Sequence, residues 1–210
     1  MPNDEKKVYF GLKNVHYAKL HETVDEHGEV ITSYDTPQRW PGAVNIQLDP
    51  QGAPVVFSAD NSAYYTLLNN RGYEGDYECA RIPDDIRTGV LGNKTDDDGF
   101  VVETDKDEVD YFALMFEFES DTTATRYIFY KVSISERPSV GSNTIDVNGD
   151  PSVLTEKVKF RAVPQTSTTM IDGKSCHLIK SFTGKDVNPT AYADFYQAVH
   201  VPVFDGGESS

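Results

Sequence analysis

The chain has 210 residues, with 34 acidic against 19 basic side chains and a formal charge of −15. That length suits one domain able to bury a real core, and the charge disfavours the phosphate-gripping surface of a nucleic-acid binder. No run has the length of apolar residues needed to span a bilayer. Met1 to Lys7 is too polar for a signal peptide, so Cys79 and Cys176 are expected as free buried thiols and not as a disulfide.

Taken in order, the chain predicts mostly strands. Val8, Phe10 and Leu12 form one apolar face, and Val15 and Tyr17 continue it on the opposite parity, which implies a bulge near Asn14. Residues 21–28 read as a polar loop and Glu29 to Tyr34 as a short strand. Ala43 to Asp49 alternates, with Val44, Ile46 and Leu48 on one face and Asn45, Gln47 and Asp49 on the other. Asp49-Pro50-Gln51-Gly52 has turn chemistry, because proline presets φ and glycine accepts positive φ. Ser58 opens a strand reaching Leu68. Between Tyr73 and Ala80, Tyr73, Tyr77 and Cys79 share one face, and Glu74, Asp76 and Glu78 the other. A short helix is expected from Pro83, with Asp84 and Asp85 at its positive end and Gly92 to stop it.

Residues 93–110 form an acidic connection in which Val101 and Val102 are the packing candidates. Phe112, Leu114, Phe116 and Phe118 then alternate with Met115, Glu117 and Glu119, the pattern of a half-buried strand. Thr123 to Ser135 pairs with it through a turn at Ser120-Asp121-Thr122, with Ile128, Tyr130, Val132 and Ile134 facing the core. Residues 136–152 are a long loop poor in core formers. Leu154 to Val163 puts Val158, Phe160 and Ala162 inward and leaves a basic stripe, Lys157, Lys159 and Arg161, on its other face. Asn188 caps a helix with Pro189 at its first position, and Tyr192, Phe195, Tyr196 and Val199 mark its packed side. Asp205 to Ser210 is expected to be a flexible tail.

Catalytic motifs fail on their own chemistry. Gly173-Lys174-Ser175 lacks the upstream glycine of a phosphate loop, since Thr168 stands there. Cys176 and His177 are neighbours, so in a strand they point to opposite faces and cannot form a dyad. His16, His21 and His27 with Asp25 match no metal-ligand spacing. Asp146-Val147-Asn148-Gly149-Asp150 resembles a calcium loop only faintly, with Lys157 where the bidentate glutamate belongs. No enzyme, cofactor or metal is expected.

Several short motifs in one order carry a resemblance: VYFGLKNVHYAKL, PGAVNIQLD, SADNSAYY, NNRGYEGDYE, IPDDIRTGVLG, YFALMFEFE, TRYIFYKV and SERPSV. Together they cover most of residues 8–163 and resemble the major tail (tail tube) protein of long-tailed, non-contractile phages of Gram-positive bacteria. The resemblance implies a mainly β fold, a β-sandwich of two packed antiparallel sheets with one or two short helices, forming a single domain. It implies a structural protein of the virion tail, assembled in the host cytoplasm as stacked hexameric rings that form a hollow tube. Strands from each subunit would join into an inner barrel and long loops would reach the neighbour. DNA would pass without specific binding, and the expected partners are the tape-measure, tail-terminator and distal tail proteins, with no membrane.

Two outward rows are candidates for the lumen: Glu74, Asp76 and Glu78, and Asn45, Gln47 and Asp49. Candidates for contact between subunits are Lys157, Lys159 and Arg161, facing an acidic 93–110 segment, together with Arg137 and Asp146. For each row the plain alternative is an ordinary solvated strand face. Other readings are a carbohydrate- or receptor-binding sandwich, with the twelve tyrosines as stacking platforms, a glycosidase built on one of many acid pairs, and a tube protein of a phage-derived particle.

Overall fold

The computed structural model describes residues 10–59, 62–67, 69–121, 124–143 and 154–204. In chain order these form β1 (Leu12–Val24), β2 (Val30–Tyr34), β3 (Gln38–Arg39), β4 (Ala43–Gln51), β5 (Val55–Ala59), β6 (Ser62–Leu67) and β7 (Gly72–Cys79). Helix α1 (Asp84–Gly89) follows, then β8 (Lys94–Thr95), β9 (Val101–Val102), β10 (Phe112–Phe118), β11 (Arg126–Glu136) and β12 (Glu156–Ala162). The last elements are β13 (Thr169–Ile171), β14 (Lys174–Cys176), β15 (Lys180–Phe182) and α2 (Pro189–Ala193). Val8, Asp60, Asn61, Leu68, Thr122, Thr123, Asp146 and the 205–210 tail lie outside the described residues.

The fold is mainly β, and every pairing among the described strands is antiparallel. One large sheet runs β2-β1-β10-β11-β12-β7-β4, with β3 added to β1 and β15 to β11. Three hairpins, β5–β6, β8–β9 and β13–β14, stand apart from it.

Trp40 shows that this sheet curls. Its ring meets Tyr17 of β1 at 6.2 Å and Tyr77 of β7 at 4.8 Å between centroids. Those strands are four ladder steps apart, roughly 19 Å in a flat sheet at about 4.8 Å per step. Only a sheet bent around Trp40 brings both within its reach. Inward residues from the two ends, Val15 and Tyr17 with Tyr77, Val158 and Phe160, therefore share one core, which Ile82, Ile86 and Val90 of the α1 region close. The ladder is continuous through hydrogen bonds, and it does not by itself establish two separate sheets packed face to face.

Several local expectations hold. β1 is bulged between Lys13 and His16, with Asn14 at φ 51°. In β7, Tyr77 and Cys79 are buried; in β12, so are Val158, Phe160 and Ala162. Asn188 accepts a hydrogen bond from the Thr190 amide at 2.9 Å and caps α2. Both cysteines are free; Cys79 is buried, whereas Cys176 is half-exposed.

Others need correction. The polar stretch 21–28 is not one loop, because β1 continues to Val24 and pairs with β2 in a hairpin. β4 also runs further than its turn chemistry suggests: Pro50 and Gln51 stay opposite Tyr73 and Gly72. Proline is tolerated there because β4 is the last strand of the sheet. A register shift between Ala43 and Asn45 pushes Val44 outward, so Ala43, not Val44, joins Ile46 and Leu48 against the core. α1 ends at Gly89, before Gly92. Val101 and Val102 are exposed and join neither core cluster. α2 stops at Ala193, though Phe195, Tyr196 and Val199 still pack inward.

The largest difference is a second core. β10 is buried on both faces, not half-buried. A bulge in β11 between its partners to Phe112 and Leu114 switches parity, so Ile128 and Tyr130 leave the main core for the opposite face. There they join Met115 beneath Leu178, Phe195, Tyr196 and Val199. Glu117 lies under the same cover, bonded by Arg126 at 2.8 Å and by Asn14 at 2.6 Å. The C-terminal segment thus roofs one half of the outer sheet face and leaves the β12-β7-β4 half bare.

Candidate assembly surface

The bare half is where the predicted residues meet. Antiparallel pairing puts partners on the same face, and the register aligns three rows. Glu74, Asp76 and Glu78 of β7 lie opposite Arg161, Lys159 and Lys157 of β12. On the other side they lie opposite Asp49, Gln47 and Asn45 of β4. Three sets of residues from distant parts of the sequence are thus one polar surface, backed by the main core. A groove along it is lined by Asn45, Gln47, Asp76, Glu78, Lys157 and Lys159.

The cations on this surface are paired within the chain. Lys157 Nζ lies 3.2 Å from Glu78, Arg161 3.5 Å from Glu74 and Lys159 2.8 Å from Glu136. Thr155 donates to the Glu78 carboxylate; that hydrogen bond first, and Lys157 second, holds Glu78 below its ordinary pKa. The hydrogen bond and charge of Glu136 raise the Lys159 ammonium. Gln47 donates to Asp49 along β4 at 3.0 Å. Sequence reasoning missed Glu136 and Thr155. Glu136 lies at the end of β11 across from Lys159, a proximity that only long-range register reveals.

The basic stripe thus meets its own sheet's carboxylates first. Arg137, the remaining described candidate for subunit contact, pairs at 2.7 Å with Glu103 in the acidic segment of its own chain. Asp146 lies outside the described residues.

β4 borders this surface. Among the described residues it pairs with β7 alone, so its other edge carries unpaired backbone groups, a template for another strand.

Elsewhere the described residues are arranged structurally. The His16 ring stacks on Tyr196 at 4.4 Å, and His21 pairs with Asp35 at 2.9 Å. No group of three or more His, Cys, Asp or Glu among the described residues is placed to hold a metal ion. Gly173 and Asp172 both have positive φ and form the β13–β14 turn, as a two-residue hairpin of the I′ type requires. Tyr111 is exposed, whereas Tyr17, Tyr77 and Tyr130 are buried. No helix among the described residues is long and apolar enough to cross a membrane. No family model matches the chain, and no curated protein matches it.

Proposed function

We propose that the protein is a tube-forming structural subunit, of the kind that builds the tail tube of a non-contractile phage. The observation that carries this reading is the uncovered surface of β12, β7 and β4 with the end of β11, polar apart from Val44 and bordered by the edge of β4 that has no partner strand among the described residues. A lone soluble domain gains nothing from such an edge and risks aggregation by it. In a ring, the edge of β4 joins the next subunit and the liability becomes an interface. The polar surface then lines the lumen, with the core behind it and the C-terminal roof outside. The curl of the large sheet around Trp40 supports this reading, because it brings β1 and β7 to one core.

The lumen in this reading carries Asp49, Glu74, Asp76, Glu78 and Glu136 against Lys157, Lys159 and Arg161. Five carboxylates and three cations leave two net negative charges per subunit. The cations are each engaged, so no free row of them grips phosphate. DNA passes a wall that is slightly repulsive and otherwise neutral.

Negative-stain electron microscopy of the purified protein, over a range of concentration, tests the reading. Rings or hollow tubes of uniform width are expected. A protein that remains a single subunit at the highest concentrations, by light scattering and by microscopy, overturns it.

A further inference from the structure

Two apolar features of this chain lie outside the surface described above, one projecting and one concave. The first is the β8–β9 hairpin. Its turn is fixed internally: Asp96 Oδ1 accepts from the Asp98 amide at 3.0 Å and the Phe100 amide at 2.8 Å. The Asp96 amide bonds the Phe100 carbonyl at 2.9 Å, and Gly99 supplies positive φ. This rigid tip holds Phe100 outward, 69 % exposed, beside Asp97 and Asp98. An aromatic ring on a pre-ordered turn loses little conformational freedom on docking, which makes it an efficient anchor.

The second is a groove of about 510 Å³ beside β15. Phe182, Val187, Ala191, Phe195 and Pro202 line it, and its volume is in the range that buries a compact group. Phe182 at the groove is itself 60 % exposed. Lys185 and His200 line it together with Asp186, and Lys185 makes no ion pair among the described residues. In a chain of net charge −15, this is an apolar recess with an unengaged cation beside it.

We infer that the Phe100 tip of one copy docks in the Phe182 groove of a second copy, with Asp97 or Asp98 reaching Lys185. The match is a ring for an apolar recess and a carboxylate for a free ammonium. In a ring or tube each copy offers its knob to one neighbour and its recess to the other, a heterologous contact that repeats from copy to copy; reciprocal docking of two copies would close as a dimer instead. It adds a second contact to the edge pairing of β4, and rests on the tube reading only for the shape of what is built.

Mixed cross-linking tests this directly in full-length chains carrying Cys176→Ser, which removes the half-exposed native thiol. Chains with Asp98→Cys, which keep Phe100, are mixed with chains with Gly184→Cys, a groove position where an added Cβ meets open space, and oxidised. A covalent dimer is expected from the mixture and from neither variant alone. Phe100→Ser should raise the concentration needed for assembly by at least about tenfold, the loss expected for an anchor residue. Lys185→Glu should weaken assembly, and adding Asp97→Lys should restore it. Emission of the single, buried Trp40 reports that each variant is folded. Rings or tubes that form normally from Phe100→Ser, without the mixed cross-link, overturn this contact, leave the tube reading intact and assign the groove to another occupant. The mixed cross-link in a protein that forms no ring or tube supports the contact and overturns the tube. Absence of both cross-link and assembly overturns both.

Discussion

Glu78 concentrates the chemistry of the charged surface in one side chain. It accepts from Thr155, pairs with Lys157 and titrates below the ordinary glutamate value of 4.5. Glu22 also titrates low: burial raises it, but hydrogen bonds from Lys131 and Thr166 outweigh that effect. A carboxylate depressed in the folded state stabilises it fully above the unfolded pKa, and that contribution disappears as pH falls through the folded pKa. The contribution of these two carboxylates should therefore be constant above the ordinary carboxylate range and decline below it. Thr155→Val removes the largest cause of the Glu78 shift. An NMR titration of the side-chain carboxyl should then show the Glu78 midpoint rising toward 4.5, while that of Glu22 stays in place. An unmoved Glu78 midpoint would show that Thr155 does not hold it. At this scale the sequence was legible in part. Glu78 declared its outward face by alternating with Tyr77 and Cys79. Glu117 has the same pattern and the opposite fate, because Arg126, nine residues on, and the C-terminal aromatics enclose it.

Among the elements, those whose environment is set by one neighbour were the readable ones. β7 and β12 alternate because one face meets the core and the other meets water. β10 and β11 were misjudged because their second face is covered by residues about 50 to 80 positions later, a cover that periodicity does not encode. Polarity was misleading in β1, where a hairpin with β2 keeps the polar residues 21–23 in a strand. β4 depends on a gap in β7. A Cβ at Gly75 would overlap the carbonyl oxygen of Gln47 and press on Leu48 Cα, so glycine allows β4 to fold closely over the inward face of β7. Gly75→Val should lift β4 from β7 at a cost of about 1–3 kcal/mol, the usual range for overpacking. Amide hydrogen exchange along β4 should then quicken by about ten- to a hundredfold, with β10 and β11 unaffected. Unchanged exchange in β4 would mean that the strand has room to shift. If β4 is the joint between subunits, the same variant also fails to form rings.

For the whole molecule, the distribution of charge matters more than its total of −15. The candidate lumen is only mildly negative, because every outward acid of β7 has a cation of β12 in register beside it. Replacing Glu74, Asp76 and Glu78 by lysine would set six cations against one another across the ladder, and like charges directly opposite destabilise a sheet. Neutralisation is the better probe. In the triple variant Glu74→Gln, Asp76→Asn and Glu78→Gln, Asp49 and Glu136 remain against Lys157, Lys159 and Arg161. The surface changes from two net negative charges to one positive, and two of the three cations lose their partners. The lost ion pairs are partly exposed and screened by water, so the fold should survive and tubes should assemble. Freed cations then bind phosphate, and DNA leaving through the tube is held by contacts that salt weakens through counterion release. DNA ejection from particles built with the variant should be slow at low salt and recover toward the wild-type rate as salt rises. Wild-type kinetics at both salt levels would place this surface away from the DNA.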